Sequence, residues 1–278
     1  VLMVPGEWAD GEKGRFDGVG ALLYAFSLIA FMAGLSLLPS PYGLSVLVLG
    51  LVGFFLFTRH EMRTPFPLFE MRLFRDNRVF AFSSVAALIN YGATFAVSFL
   101  LSLYLQHVLG LGPERAGTIL LWQPVMMALL SPVAGRLSDR TEPRLIASLG
   151  MGLSALGLFL LTFLGRNGSI PYVILCLICL GTGFALFSSP NMNAIMGSVA
   201  PSHFGVASGA VGAMRLIGQM CSMAIALVVF SLVLGEEGVR GGSHPALPEA
   251  LKTCFGIFSA ICGVGIGFSL ARGNLRRG

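Results

Sequence analysis

Eight stretches of this chain are long and apolar enough to cross a lipid bilayer, and they govern what it can fold into. A helix rises about 1.5 Å per residue and a hydrocarbon core is roughly 30 Å thick, so about 20 apolar residues suffice. The predicted spans are Val19–Leu38, Tyr42–Thr58, Val79–Leu105, Ala116–Leu137, Leu145–Leu164, Pro171–Val199, Phe204–Leu234 and Leu251–Ala271. Charged residues make up only 11% of the chain, against roughly 25% in soluble proteins. So few charges cannot cover a water-facing surface, and so apolar a chain does not stay disordered. The fold class is therefore all-α integral membrane.

Lys and Arg cross a membrane reluctantly during insertion, which tests the count of spans. With the N-terminus on the cytoplasmic side, the cytoplasmic segments hold Lys13, Arg15, Arg59, Arg63, Arg72, Arg75, Arg78, Arg136, Arg140, Arg144, Arg272, Arg276 and Arg277. The opposite segments hold only Arg115, Arg166, Arg240 and Lys252. Losing or adding one span would scramble that separation, so both termini are expected in the cytoplasm. Residues 1–18 read as a cytoplasmic linker, 19–58 as a helix pair, 59–78 as a basic loop, 79–271 as a six-helix bundle and 272–278 as a tail. The chain opens Val1-Leu2-Met3-Val4-Pro5, without a basic segment leading into an apolar core. A signal peptide is not expected, and the segment reads as part of something longer.

No carboxylate falls in the middle of a span, and the four histidines (His60, His107, His203, His244) are placed in loops. Acid–base, nucleophilic and metal chemistry inside the membrane would need such groups. No catalysis and no cofactor are expected. The Cys176-x-x-Cys179 pair has no second pair or histidine nearby and reads as packing. A nucleotide-driven pump is disfavoured because no Gly-x4-Gly-Lys-Ser/Thr loop occurs.

Uncharged polar residues concentrate in four spans. The third carries Asn90, Tyr91, Thr94 and Ser98, with 90, 94 and 98 on one helical face. The fourth carries Gln123 beside Pro124. The sixth carries Asn191 and Asn193 around Pro190, and the seventh Ser208, Arg215, Gln219 and Ser222 on one stripe. The substrate-cavity candidates are Asn90, Tyr91, Thr94, Gln123, Asn191, Asn193, Arg215 and Gln219. Arg215 is the sharpest of these because a charge that deep needs water or a partner. It either lines a cavity and meets substrate or a carboxylate elsewhere, or is satisfied structurally by helix-end carbonyls or by reaching the interface. For the amides, interhelical hydrogen bonding competes with substrate contact. Gly205, Gly209, Gly212, Gly218, Gly263 and Gly267 have spacings that let helices approach closely, and Pro124, Pro132 and Pro190 are expected to bend their spans.

Between the fourth and fifth spans lies Gly135-Arg136-Leu137-Ser138-Asp139-Arg140-Thr141-Glu142-Pro143-Arg144, a charged turn suited to latching helices in one state and releasing them in another. It resembles the cytoplasmic Gly-x-Leu-x-Asp-Arg-x-Gly-x-Arg loop of the major facilitator superfamily, with Glu142 where the family has Gly. Several other motifs resemble that family's fourteen-helix drug:proton antiporter branch. They are Leu103 to Gly110, Gln123-Pro124, Ser131 to Gly135, Asn191 to Met196, Gly205 to Gly209, the Arg215 stretch and Phe16-Asp17-x-x-Gly20.

The resemblance implies two extra transmembrane helices followed by the C-terminal six-helix bundle, a 3+3 inverted repeat. The bundle's first, second, fourth and fifth helices would line a central cavity, and Gly135, Asp139, Arg140 and Arg144 would form a gating loop. It further implies a multi-pass cell-membrane transporter exporting amphipathic drugs or toxic compounds by alternating access. Expected partners are the lipid bilayer, a small-molecule substrate, protons as coupling ion and a missing N-terminal six-helix half that holds the proton-binding carboxylate. No nucleic acid is expected. The competing readings are a transporter of a specific metabolite, lipid or peptide, and a membrane scaffold without transport.

Overall fold

The computed structural model describes residues 17–64, 67, 71–166, 168–241 and 245–273. Residues 1–16, with Lys13, Arg15 and Phe16, lie outside the described residues, as do His244 and the tail beyond Gly273 with Arg276 and Arg277. So do the side chains of Arg72 and Arg240.

Eight helices among the described residues have the length and composition of membrane spans: α1 (Gly18–Ser36), α2 (Pro41–Glu61), α3 (Arg78–Val108), α4 (Pro113–Arg140), α5 (Pro143–Leu161), α6 (Ile170–Gly197), α7 (Pro201–Gly235) and α8 (Leu247–Ala271). A short helix, Met71–Asp76, precedes α3. The chain is thus an all-helical membrane protein. Helix ends follow local chemistry. The Asp17 carboxylate accepts from the Gly20 N–H at 2.9 Å, Ser40 caps α2 ahead of Pro41, and Asn77 caps α3 through the Phe80 N–H. That Gly20 bond lowers the Asp17 pKa, and a 2.9 Å pair with His60 Nε2 lowers it further. The second span is longer than its apolar run suggests, because α2 continues through Arg59 and His60 and so places His60 in a helix rather than a loop. Basic side chains in a last turn complement the carbonyl end of the helix.

The α1–α2 hairpin closes on glycines: a side chain at Gly50 would strike the Phe31 backbone. In the six-helix bundle α3 packs on α7, α8 and α6, while α6 packs on α5 and α4, and α5 on α8. The core between them is aliphatic and aromatic, with Leu100, Leu158, Leu177, Phe255 and Phe258 fully buried, and Cys176, Cys254 and Cys262 are free thiols packed in it.

Glycine spacing alone misplaces several contacts. Of the six glycines expected at helix crossings, only Gly218 meets a neighbour, lying against Leu88 O of α3, whereas Gly205, Gly209, Gly212, Gly263 and Gly267 face open space. The close approaches are made instead at Gly150 and Gly183 between α5 and α6, at Gly181 against α4, and at Gly265. Spacing marks one face of a helix but not the neighbour that face will meet.

Candidate functional site

Two of the cavity-forming helices are interrupted where they reach the site. In α3 the regular helix stops at Thr94 and resumes at Val97. There the Ala96 N–H donates to Ser222 Oγ of α7 at 3.0 Å, and the Thr94 hydroxyl donates back to the Asn90 carbonyl at 2.8 Å. In α4 the interruption falls at Leu121, one turn before Pro124, whose ring supplies no N–H to the carbonyl four residues back. Broken helices at membrane depth are tolerated where neighbouring side chains take over the freed backbone groups.

Around these breaks lies a cavity of about 520 Å³ lined by residues of α3 (Tyr91, Thr94, Phe95, Ser98, Phe99), α4 (Gln123, Met127), α6 (Phe184) and α7 (Arg215, Gln219, Met223). Helices α5 and α8 contribute no side chain to it. Five of the eight cavity candidates, Tyr91, Thr94, Gln123, Arg215 and Gln219, meet here. Three do not line it. Asn90 is fully buried, with neither amide atom partnered among the described residues, while Asn191 and Asn193 point to the end of the bundle where α3 begins.

Arg215 is exposed within the cavity, and its guanidinium carbon stands 5.3 Å from the centroid of the Tyr91 ring. Tyr91 is itself held edge to face by Phe184, with centroids 5.6 Å apart. Among the described residues Arg215 has no ion pair. A cation at the centre of a span costs about 2.5–3.5 kcal/mol on insertion scales, and an aromatic face returns about 0.5–2 kcal/mol. The ring alone does not balance the charge, so water or an anionic group completes the site. Gln123 is 9% exposed, and its Oε1 is buried without a hydrogen-bond partner among the described residues.

A second polar cluster closes the end where α3 begins and α6 and α8 finish. Arg272, the residue after α8, is 1% exposed. Its guanidinium donates to Asn191 Oδ1 at 3.0 Å and Ser83 Oγ at 3.3 Å, and Asn191 Nδ2 donates to the Ser83 carbonyl at 3.1 Å. One side chain thereby ties α3, α6 and α8 together. Burial pulls the Arg272 pKa down to about 10, with Glu142 opposing the fall and Arg144 adding to it, so the group stays charged at neutral pH. The sequence places Arg272 with the tail, because it follows the last apolar residue of the eighth span. Its depth in the bundle has no counterpart in hydropathy.

The charged turn is mostly helix. Asp139 and Arg140 are the last residues of α4, and α5 starts at Pro143, so only Thr141 and Glu142 link them. Asn193 Nδ2 donates to Ser138 Oγ at 3.3 Å and to Asp139 Oδ1 at 3.4 Å. Gly135 lies against Ser189 of α6. Arg140 is exposed, and Arg144, in the first turn of α5, is half-buried with its Nε unpartnered among the described residues.

The sequence profile of the Major Facilitator Superfamily matches residues 16–223 and 83–272. The uncharacterized transporter YebQ of Escherichia coli (strain K12) is 32% identical over 255 residues, covering 90% of this chain and 54% of the relative. The riboflavin transporter RibZ of Clostridioides difficile (strain 630) is 26% identical over 273 residues, covering 96% of this chain and 58% of the relative. The multidrug resistance protein Stp of Mycobacterium tuberculosis (strain ATCC 25618 / H37Rv) is 29% identical over 216 residues, covering 76% and 40%. The chain spans about half the length of the curated relatives it matches.

Proposed function

The chain belongs to the Major Facilitator Superfamily, and from that premise we propose that it is part of a secondary transporter exporting amphipathic compounds by alternating access, driven by proton influx. The observation that carries the reading is the cavity: four helices, α3, α4, α6 and α7, converge on it with aromatic and methionine walls and a few polar groups, which suits substrates held by shape and a small number of directed contacts. In this reading residues 19–58 are an extra helix pair, 79–271 the C-terminal bundle, and the linker, basic loop and tail lie in the cytoplasm of a cell-membrane protein. A second six-helix half supplies the facing wall and the proton-binding carboxylate.

The cavity wall then presents Arg215, Gln123 and Gln219 to the solute while the breaks in α3 and α4 give the lining helices places to bend. Asp139 with Asn193, and Arg140 with Arg144, serve as the cytoplasmic clasp. It latches when the cavity faces outward and parts when it faces inward.

One observation favours a narrower solute within the same mechanism: the relative named as a riboflavin transporter matches 96% of this chain. The test is to express the full reading frame in a strain lacking its own efflux systems and follow extrusion of amphipathic dyes with and without a protonophore. Extrusion that stops with the proton gradient supports proton-coupled export. Unchanged accumulation of every dye, with the protein present in the membrane, would overturn it.

A further inference from the structure

We propose that the solutes seated on this wall are planar aromatic anions, held with their negative group against Arg215 and their ring plane beside Tyr91 and Phe184. The inference rests on the transport reading above and names its substrate class.

Three observations lead there. First, Arg215 is the one formally charged side chain among the described cavity residues, and it is exposed to the cavity. It has no carboxylate and no hydrogen-bond acceptor among the described residues, so its fork of N–H donors is open to a carboxylate, the planar anion it matches with two parallel hydrogen bonds. Second, the cation is propped against a π face. The ring of Tyr91 lies 5.3 Å from the guanidinium carbon, and Phe184 fixes that ring edge-on at 5.6 Å. A solute ring joins this edge-to-face pair at little cost in ordering, because a rigid planar ring has few torsions to fix. Third, Phe95, Phe99, Met127 and Met223 make much of the remaining wall apolar, and its other polar groups, Thr94, Ser98, Gln123 and Gln219, are uncharged. No second charge among the described lining residues therefore offsets Arg215, which repels a cationic solute.

A matched set of naphthalenes tests the idea, since the ring is constant and only the charge changes: 2-naphthoate, 2-naphthylmethanol and 2-naphthylmethylammonium. Binding of each to the full-length protein in nanodiscs is measured by equilibrium dialysis. The expected order is naphthoate first, at least tenfold tighter than the ammonium compound, with the alcohol between. Arg215→Gln is expected to lower naphthoate binding at least tenfold and leave the alcohol within twofold, and Arg215→Lys to restore part of the loss.

If the ammonium compound binds as tightly as the carboxylate, or none of the three binds, the inference is overturned, whether or not any variant folds. An Arg215→Gln protein that keeps the original order overturns it too. Flux in proteoliposomes separates this from the reading beneath it. Naphthoate that binds in the expected order but does not cross the membrane sinks the transport reading alone. Export of the ammonium compound in preference to naphthoate sinks the inference alone.

Discussion

Two arginines divide the chemistry of this bundle. Arg215 lies about halfway along α7, where a charge is expected to be hidden, and it is exposed. Arg272 follows the last residue of α8, where a charge is expected to be free, and it is 1% exposed. Position along a helix sets depth in the membrane, but the face a residue occupies decides whether it meets water. Arg215 shares its stripe with Gln219 and looks into the cavity. Arg272 turns inward between α3 and α6 and spends its hydrogen bonds on Ser83 and Asn191. In the function proposed above the first meets a solute, while the second holds helices together through Ser83 and Asn191.

That division is broken most directly by removing each charge in turn. Arg215→Leu is expected to cut substrate extrusion at least a hundredfold, about 2.7 kcal/mol, while leaving membrane insertion and melting temperature unchanged. Full extrusion would take Arg215 out of the site. Arg272→Ala is expected to do the reverse in kind: it opens a cavity and strands Asn191 Oδ1, a loss of about 3 kcal/mol in stability. Its measure is thermal unfolding followed with a thiol-reactive dye, for which the buried Cys176, Cys254 and Cys262 are built-in reporters. Arg272→Met fills the space without a charge and should recover most of that loss, since an apolar replacement of a buried ion is often neutral. Asn191→Ala leaves Arg272 with Ser83 alone and should cost less, about 1–2 kcal/mol in the same assay. Equal melting temperatures for Arg272→Ala and the parent would show that the cluster holds nothing.

The same contrast explains what could be read from sequence. Eight spans were legible because hydrophobic length is a local property, and each observed helix overlaps its predicted run, from Gly18–Ser36 against Val19–Leu38 to Leu247–Ala271 against Leu251–Ala271. Tyr91, Thr94, Gln123, Arg215 and Gln219 were legible as polar groups in otherwise apolar runs, and they share one cavity. What stayed hidden depends on which helix faces which. Asn90 and Asn191 carry the same sequence signal as Gln123, yet one is sealed inside the bundle and the other binds Arg272. Asn193, two residues on, turns away from Asn191 and reaches Asp139. Likewise Gly181 and Gly183, inside an apolar run with no distinctive spacing, make the close crossings that Gly205 and Gly209 do not.

The smallest expected effect is also the finest probe of the cavity side of the comparison. If Tyr91 acts on Arg215 through its ring, the hydroxyl is dispensable and the aromatic face is not. Tyr91→Phe should leave binding of 2-naphthoate within about twofold of the parent, because the ring quadrupole that attracts the guanidinium is kept. Tyr91→Leu removes the face and should weaken binding about fivefold, roughly 1 kcal/mol, within the range for a partly desolvated cation–π contact. Arg215 would then be free to leave the orientation that the ring gives it, so the loss should fall on the anion and spare 2-naphthylmethanol. Equal weakening by both substitutions would move the contact to the phenol oxygen, and no weakening by either would mean that Arg215 is oriented by something other than this ring.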